Sequence, residues 1–316
     1  MNAKVRQKIL LAGVLLLAGC GQKFKLPPQP EASRIPTPGT YNLNKVWRIL
    51  SPTDIVLRGS YVYVIEEHQR IGVYMSRLKD PRHPDSAFVG SFQGLIQPVQ
   101  ICMAKRDSTY LFVADAGDMQ IKRFYFRGGP PLFSFSDTSW VEFSGLAADA
   151  YLNVYVADAV RDTVYKYDSS GKRARLISDY GTGQGYVIDP HGMAYVKGAL
   201  WVADTGKNWV QRLNPDSTNV AIPGKPIGRD LALGEPTDVA TDPAGERIFV
   251  AEAANDRILL FQASGALQDT VYTPTRTETL VDPPIDSPRY LTADDSLVFV
   301  PDSANDRVVV MRLTKQ

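Results

Sequence analysis

Six acidic residues recur at one position of a repeated apolar motif, and carboxylates of this kind can bind hard cations or act as general acids and bases. Each ends a run such as Val154-Tyr155-Val156-Ala157-Asp158. The residues follow one another at intervals of 49, 43, 46, 48 and 50 positions: Glu66, Asp115, Asp158, Asp204, Glu252 and Asp302. Because every unit carries one, we expect a structural role in which the carboxylate accepts N–H groups of the adjoining loop or pairs with Arg257 or Arg307.

Residues that depart from the repeat are better candidates for a ligand site. A Pro-x-x-apolar pattern such as Pro52-Thr53-Asp54-Ile55 precedes the acidic run in five of the six units, and the third unit has Phe143 in place of the proline. The two residues that follow this position differ between units. We predict a binding site at the mouth of a central channel, formed by six residues: Asp54, Gln100, His191, Asp238, Arg289 and Tyr290. Two carboxylates beside an arginine and a tyrosine would hold a polar ligand. The alternative to a ligand site is a hydrated channel mouth in which these residues form only an ion pair with each other.

Other chemistry finds little support in the residue types. The chain has three histidines. His68 and His191 are expected on one face of the fold and His83 on the opposite face, so zinc bonds of about 2 Å cannot join all three. Asp54, Gln100 and Asp238 are too few for calcium, which takes about six to eight oxygen ligands. No Ser-His-Asp arrangement, phosphate-binding glycine loop or paired-cysteine motif is present. The sequence therefore assigns no catalytic residue, no metal and no cofactor.

The elements that position these residues are short strands. Each unit holds a first strand at the Pro-x-x position, which lacks the proline in unit 3, and then the apolar run with its acidic end. A second run such as residues 258–261 and an outer stretch such as residues 132–135 or 267–272 follow. Residues 88–92 are expected to be another outer strand. Four strands in each of six units of about 46 residues predict an all-β, six-bladed β-propeller.

The two ends of the repeat predict how the ring closes. Only five residues follow Met311, so the sixth unit lacks its outer strand, while residues 45–50 form a strand without a unit of their own. We expect this N-terminal strand to complete the last blade, which removes an open sheet edge. The propeller domain is placed at residues 42–316.

The later units resemble the NHL repeat, whose pattern is apolar-Tyr-Val-Ala-Asp, two variable residues, and Asn-x-Arg followed by an apolar residue. All six units carry the strand part, and Asn255-Asp256-Arg257 and Asn305-Asp306-Arg307 carry the second part. The resemblance implies an NHL-like propeller. It also brings in two enzymatic alternatives, the peptide-amidating lyases with three zinc-binding histidines and the calcium-dependent lactonases and esterases.

The first residues predict export and a lipid anchor. Basic residues precede an apolar run at residues 9–19, which is too short to span a membrane, and Leu17-Ala18-Gly19-Cys20 resembles the bacterial lipobox. We expect residues 1–19 to be a signal peptide and Cys20 to carry the lipid. Residues 20–41 contain five prolines and predict an extended tether. Enterobacterial sorting signals use Asp after the lipidated cysteine for retention in the inner membrane, so by resemblance Gly21 at this position implies delivery to the outer membrane.

Composition limits the partners. Hydrophobic residues make up 44% and charged residues 22%, and the net charge of +1 provides no field for nucleic acid. We expect a monomeric, non-catalytic binding module of the bacterial cell envelope that docks a protein, peptide or glycan; the alternative is a metal-dependent hydrolase or lyase. Trp209 is either an anchor for such a partner or part of the blade packing, and Cys102 is expected to be a buried, reduced thiol.

Overall fold

The apolar runs found in the sequence form the second strands of six antiparallel sheets, as expected for β-branched and aromatic residues with buried side chains on both faces. The structure is a computed structural model that describes residues 41–75, 91–104, 109–217, 226–231, 233–272 and 284–313. It describes no side chains for residues 41–45, Met75, Tyr272 and Leu313. The described residues belong to one unit, Pro36–Gln316.

Each sheet is a blade whose strands follow one another from the centre outwards. The innermost strands are β2 (Pro52–Arg58), β5 (Pro98–Met103), β9 (Gly145–Ala148), β13 (Pro190–Val196), β16 (Pro236–Thr241) and β20 (Thr292–Ala293). The second strands are β3 (Tyr61–Glu66), β6 (Tyr110–Asp115), β10 (Val154–Asp158), β14 (Ala199–Asp204), β17 (Arg247–Glu252) and β21 (Leu297–Asp302).

The outer half of the blades completes the pattern. The third strands are β4 (Arg70–Met75), β7 (Gln120–Tyr125), β11 (Thr163–Tyr167), β15 (Trp209–Leu213), β18 (Arg257–Gln262) and β22 (Arg307–Leu313). The outermost strands that the structure describes are β1 (Tyr41–Arg48), β8 (Phe133–Phe135), β12 (Arg173–Ser178) and β19 (Leu267–Tyr272). Short 3-10 helices follow the second strand in blades 4, 5 and 6: Thr205–Lys207, Ala253–Asn255 and Ser303–Asn305. The all-β, six-bladed propeller is confirmed.

Blades 1 to 5 follow the chain, and blade 6 is completed by the N-terminal strand. Strand β1 pairs antiparallel with β22, with Val46 opposite Val309 and Trp47 opposite Val308. The expected closure is therefore confirmed, although the strand begins earlier than the expected residue 45 and ends at Arg48. One further backbone hydrogen bond follows the strand, in which the N–H of Ile49 donates to the carbonyl of Asp306 (3.1 Å).

The core is divided among the junctions between blades. Six clusters of buried apolar side chains each span two neighbouring blades. The cluster that joins blades 6 and 1 contains Trp47, Val62 and Phe299, all nearly inaccessible to solvent. Since every blade presents one apolar face to each neighbour, no blade can bury its core alone, and the ring behaves as one domain.

Several expectations concern residues outside the described part of the chain. These are the signal peptide, the tether with Cys20, His83, and residues 88–90 of the outer strand expected in blade 1. The neighbouring Phe92 forms an isolated bridge with Gly129. Among the described residues, no helix combines the length and the apolar character needed to cross a membrane.

Candidate functional site

The predicted site residues lie at the start of the innermost strands, on the rim that we call the top rim. Pro52 pairs with Glu66 and Pro236 with Glu252, so the Pro-x-x residues and the acidic ends of the second strands share this rim. The register shifts directly after the proline in blades 1, 2, 4 and 5. A β-bulge re-aims the side chains that follow it, and here the bulge falls at the residues that the sequence singled out.

A cavity of about 160 Å³ lies on the propeller axis and is lined by residues of all six blades. Four of the six predicted residues line it: Asp54, Gln100, Asp238 and Tyr290. Its wall also includes apolar side chains such as Ile55, Leu146 and Met193. A second cavity, of about 440 Å³, opens further towards the other rim, where Lys197 and Asp242 line it.

Asp54 and Asp238 each join two blades. Asp54 accepts the backbone N–H of Ile55 on one oxygen and that of Ile101, in blade 2, on the other (both 2.7 Å). Asp238 repeats the arrangement with Val239 and with Leu291 of blade 6 (both 2.8 Å). Both carboxyl groups are therefore partnered by backbone donors and hold the innermost strands together.

Burial changes the charge of this pair. Desolvation raises the pKa of Asp54 from 3.8 to about 7, although the N–H groups of Ile101 and Ile55 act in the opposite direction. Burial, and then the charge of Asp54, raises the pKa of Asp238 well above its ordinary value. Near neutral pH the two groups thus carry less than two negative charges.

Tyr290 lines the cavity and joins blade 6 to blade 2. Its hydroxyl accepts a hydrogen bond from Gln100 Nε2 (3.0 Å), which also donates to the carbonyl of Ser144 in blade 3 (3.2 Å). Burial and the charges of Asp54 and Asp238 raise the pKa of Tyr290, and Arg289 opposes this shift. Tyr290 is therefore a neutral hydrogen-bonding group at neutral pH.

The other two predicted residues lie outside the cavity. Arg289 is exposed and forms no ion pair with the described residues. His191 is partly exposed, and its Nε2 lies 3.1 Å from Asp189 Oδ1. The buried carboxyl groups are satisfied by backbone N–H groups, so the alternative of a rim held by an ion pair with Arg289 does not describe this site.

The six recurring carboxylates are structural, as predicted. Asp115, fully buried, accepts the N–H groups of Ile96, Gln97 and Gly117 and pairs with Lys122. Glu252 and Asp302 bind Arg257 and Arg307 of the next strand. Trp209 is also structural, because it is buried and donates Nε1–H to Asp204 (2.7 Å). Its use as an exposed anchor is therefore wrong.

Sequence reasoning missed a second set of contacts between blades. Four residues on the top rim adopt a left-handed backbone, and each accepts the N–H of the residue before the Pro-x-x segment of the next blade: Asp162, Asn208, Asp256 and Asp306. Asp and Asn favour this conformation among non-glycine residues. Their recurrence at one position of units 3 to 6 was the signal available in the sequence.

Exposed apolar side chains concentrate on the same rim. Of the eleven large hydrophobic side chains that are exposed among the described residues, seven lie in top-rim loops: Leu50, Ile96, Val141, Val160, Tyr180, Tyr186 and Leu231. The remaining four lie on outer strands or towards the opposite rim: Tyr125, Leu132, Tyr151 and Leu176. The top rim thus surrounds a polar cavity with apolar loops. Among the described residues, no three His, Cys, Asp or Glu side chains are grouped as a metal site requires.

Similarity to known proteins extends over part of the chain. No protein-family model matches the sequence. A probable peptidyl-alpha-hydroxyglycine alpha-amidating lyase of Caenorhabditis elegans is 30% identical over 146 residues, covering 43% of this chain and 40% of the relative. The peptidyl-alpha-hydroxyglycine alpha-amidating lyase 2 of Drosophila melanogaster is 26% identical over 157 residues, covering 47% of this chain and 37% of the relative. The matches thus span about two fifths of each relative.

Solved structures support the fold. The chain resembles the propeller domain of Cps50 (Swd1) from Myceliophteria thermophila, with a TM-score of 0.62, 8% identity and coverage of 87% of this chain and 100% of that one. It also resembles a streptogramin B lyase (TM-score 0.56, 12% identity, 87% and 98% coverage). A chain of a nidogen/laminin complex is a further neighbour (TM-score 0.54, 18% identity, 71% and 80% coverage). Identities this low show a shared propeller fold.

Proposed function

We propose that this protein is a binding module of the NHL-like type, held in a bacterial cell envelope by a lipid on Cys20, and that its top rim docks a protein partner. The observation that carries the proposal is the group of seven exposed apolar side chains in the top-rim loops, which surround a concave polar centre. Exposed apolar patches with polar groups beside them are typical of sites of protein association.

The geometry favours a protein over a glycan as the partner. The apolar side chains come from loops of several blades, as Ile96, Val160 and Leu231 do, so they are spread around the top rim. The axial cavity is small by comparison, at about 160 Å³. A partner that covers the loops would remove apolar area from water, at about 25 cal/mol per Å² before the costs of association. In this proposal the proline-rich tether carries the rim away from the bilayer, as an extended chain of this composition does.

Site-specific photo-crosslinking in cells that produce the protein natively tests the docking face. A benzophenone amino acid is placed at Ile96 or Val160, which are 60% and 62% exposed on the top rim. The matched control is the same amino acid at Leu132, 56% exposed towards the opposite rim. We expect one discrete protein adduct from the two top-rim positions alone, identified by mass spectrometry. Equal adducts from all three positions, or adducts from Leu132 alone, contradict the proposal. A glycan adduct would contradict the choice of a protein as the partner.

A metal-dependent lyase or hydrolase is the second candidate, because the curated relatives are named as amidating lyases. The test is the metal content of the purified full chain together with cleavage of a peptidyl-alpha-hydroxyglycine substrate. Stoichiometric zinc or calcium and turnover that a chelator abolishes would establish the enzyme. Turnover would also have to depend on residues of the axial cavity, for which Asp238→Asn is the informative variant.

A further inference from the structure

We propose that the axial cavity receives one primary ammonium group, supplied by a lysine side chain of the partner that docks on the top rim. This inference rests on the proposed docking function and adds the chemistry that the cavity recognises. Four residues carry it: Asp54, Gln100, Asp238 and Tyr290.

The cavity offers hydrogen-bond acceptors whose lone pairs the protein itself uses only in part. Each oxygen of Asp54 and of Asp238 accepts one backbone N–H, which leaves a further lone pair on every oxygen. Gln100 is 3% exposed, and both of its amide hydrogen bonds are made through Nε2. Because the carbonyl of Ser144 needs a donor, the amide cannot be turned round, and no donor from the described residues reaches Oε1 of this cavity-lining side chain.

A positive charge is the complement that this lining lacks. No lysine, arginine or histidine is found among the described residues that line the cavity. Arg289 is the nearest basic residue in sequence to Tyr290, but it is exposed and lies outside. Two buried carboxyl groups without a counter-charge are costly to ionise, and a cation placed between them offsets that cost.

Size and donor number favour an ammonium group. A cavity of about 150 Å³ accommodates a group the size of benzene, so about 160 Å³ admits the end of one side chain and excludes a folded element. An ammonium carries three N–H donors and no acceptor, whereas the cavity supplies acceptors on Asp54, Asp238 and Gln100. Calcium needs about six to eight oxygen ligands, and the carboxyl and amide oxygens of Asp54, Asp238 and Gln100 are fewer than that.

Glycines stand at the matching position of blades 3 and 4, where neighbouring groups pack directly against the backbone. A Cβ on Gly192 would lie 1.8 Å from Asp238 Oδ1, so this glycine is required for the aspartate to sit where it does. A Cβ on Gly145 would lie 2.3 Å from the carbonyl oxygen of His191. The position of the Asp238 carboxyl group beside the cavity therefore depends on the absence of a side chain at Gly192.

Calorimetry on the full chain in detergent tests the proposal with Nα-acetyl-lysine amide as the probe and Nα-acetyl-norleucine amide as the neutral control. We expect the lysine probe to bind at least about tenfold more tightly than norleucine. Asp54→Asn should weaken the lysine probe about tenfold or more. Asp295→Asn makes the same chemical change at an exposed residue near the opposite rim and should leave binding unaltered.

Acidity provides a second measurement that needs no variant. Asp54 faces Asp238, Tyr290 and the thiol of Cys102, and Arg289 acts on Tyr290 from outside. Binding of a cation requires ionised carboxylate, so the affinity for the lysine probe should rise at least about tenfold from pH 5.5 to pH 8, with no such change for norleucine. This measurement decides the matter if Asp54→Asn does not fold.

Three results would overturn the ammonium site: equal affinity for the two probes, affinity that ignores both Asp54→Asn and pH, or calcium alone binding stoichiometrically and displacing the lysine probe. Crosslinking separates the two proposals. Adducts at Ile96 and Val160 without lysine binding would support docking and contradict the ammonium site. Lysine binding without adducts would contradict docking and support ammonium recognition by the cavity.

Discussion

The Asp54 carboxylate accepts the backbone N–H of Ile101 at 2.7 Å across the junction of blades 1 and 2. The same contact joins Asp238 to Leu291 across the junction of blades 5 and 6. A side chain that departs from the repeat therefore has two roles, since it links neighbouring blades and also lines the axial cavity. Buried N–H groups left without an acceptor cost about 1–3 kcal/mol, so these links stabilise the ring.

The first prediction concerns the pH dependence of stability. The pKa of Asp54 is about 7 in the folded state, against 3.8 ordinarily, so between pH 4 and 7 the folded state holds a proton that the unfolded state releases. Its contribution to stability is complete below pH 4 and is lost as the pH rises through 7. The unfolding free energy of the wild type relative to Asp54→Asn should fall by up to about 1.4 kcal/mol per pH unit in this window.

Urea denaturation at several pH values checks this expectation, and Asp295→Asn serves as control because its side chain is 74% exposed. A difference between wild type and Asp54→Asn that stays constant from pH 4 to 7 would show that the carboxyl group is ionised throughout.

The second prediction concerns the contacts between blades that the left-handed residues form. Asp256 has φ +50° and accepts the N–H of Ser287 at 2.7 Å. Asp256→Ala should lower the unfolding free energy by about 1–2 kcal/mol, because it removes the acceptor and strains the backbone. Asp256→Asn keeps an acceptor and tolerates this φ, so it should lose less than half as much. If urea denaturation shows the same loss of unfolding free energy for Asp256→Ala and Asp256→Asn, the hydrogen bond to Ser287 does not explain the loss.

The third prediction concerns ring closure. Trp47 in β1 is 1% exposed and packs in the cluster that joins blades 6 and 1. Trp47→Ala should lower the unfolding free energy by about 3–5 kcal/mol, because a large buried side chain leaves a cavity. Leu50→Ala, 56% exposed just after the strand, should change it by less than about 0.5 kcal/mol. Similar melting temperatures for the two variants would mean that β1 contributes little.

The fourth prediction concerns Cys102, a buried free thiol in the wall of the axial cavity. Burial, and then the charge of Asp54, raises the pKa of this thiol well above its ordinary value. The native protein should therefore react slowly with a thiol reagent at pH 8, and unfolding in urea should expose the group to rapid labelling. A Leu132→Cys variant provides the exposed control. Labelling of Cys102 in the native state as fast as that control would show open access to the cavity.

The fifth prediction concerns the anchor. Cys20→Ala should shift the protein from the membrane fraction to the soluble fraction, or leave an unprocessed precursor, because attachment is proposed to depend on the lipid. Cys102→Ala is the matched control and should remain with the membrane. Fractionation of the Cys20→Ala protein with the membrane, in processed form, would contradict the lipid anchor.

Local patterns were enough to predict the strands and their order. The alternation of apolar residues, the acidic residue at the end of each run and the Pro-x-x starts are properties of consecutive residues, and each blade is built from consecutive strands. Even the closing strand followed from counting, since the last unit lacked one strand and residues 45–50 lacked a unit. The repeated carboxylates were also assigned a structural role correctly, because a residue that recurs at one position of every unit makes the same kind of structural contact in each unit.

Contacts between blades were decided by the tertiary structure. The sequence grouped Asp54, Asp238, Arg289 and Tyr290 because their blades are neighbours, yet Arg289 turns to solvent while Gln100 reaches Tyr290 across blade 1. The sequence left Trp209 open as an exposed anchor or part of the blade packing, and the structure buries it at the start of β15, where its Nε1–H donates to Asp204. Direction and burial of a side chain depend on bulges and on groups dozens of residues away, such as the Ile101 N–H beside Asp54. The sequence alone therefore determined the propeller, and packing between blades determined which polar residues meet on its axis.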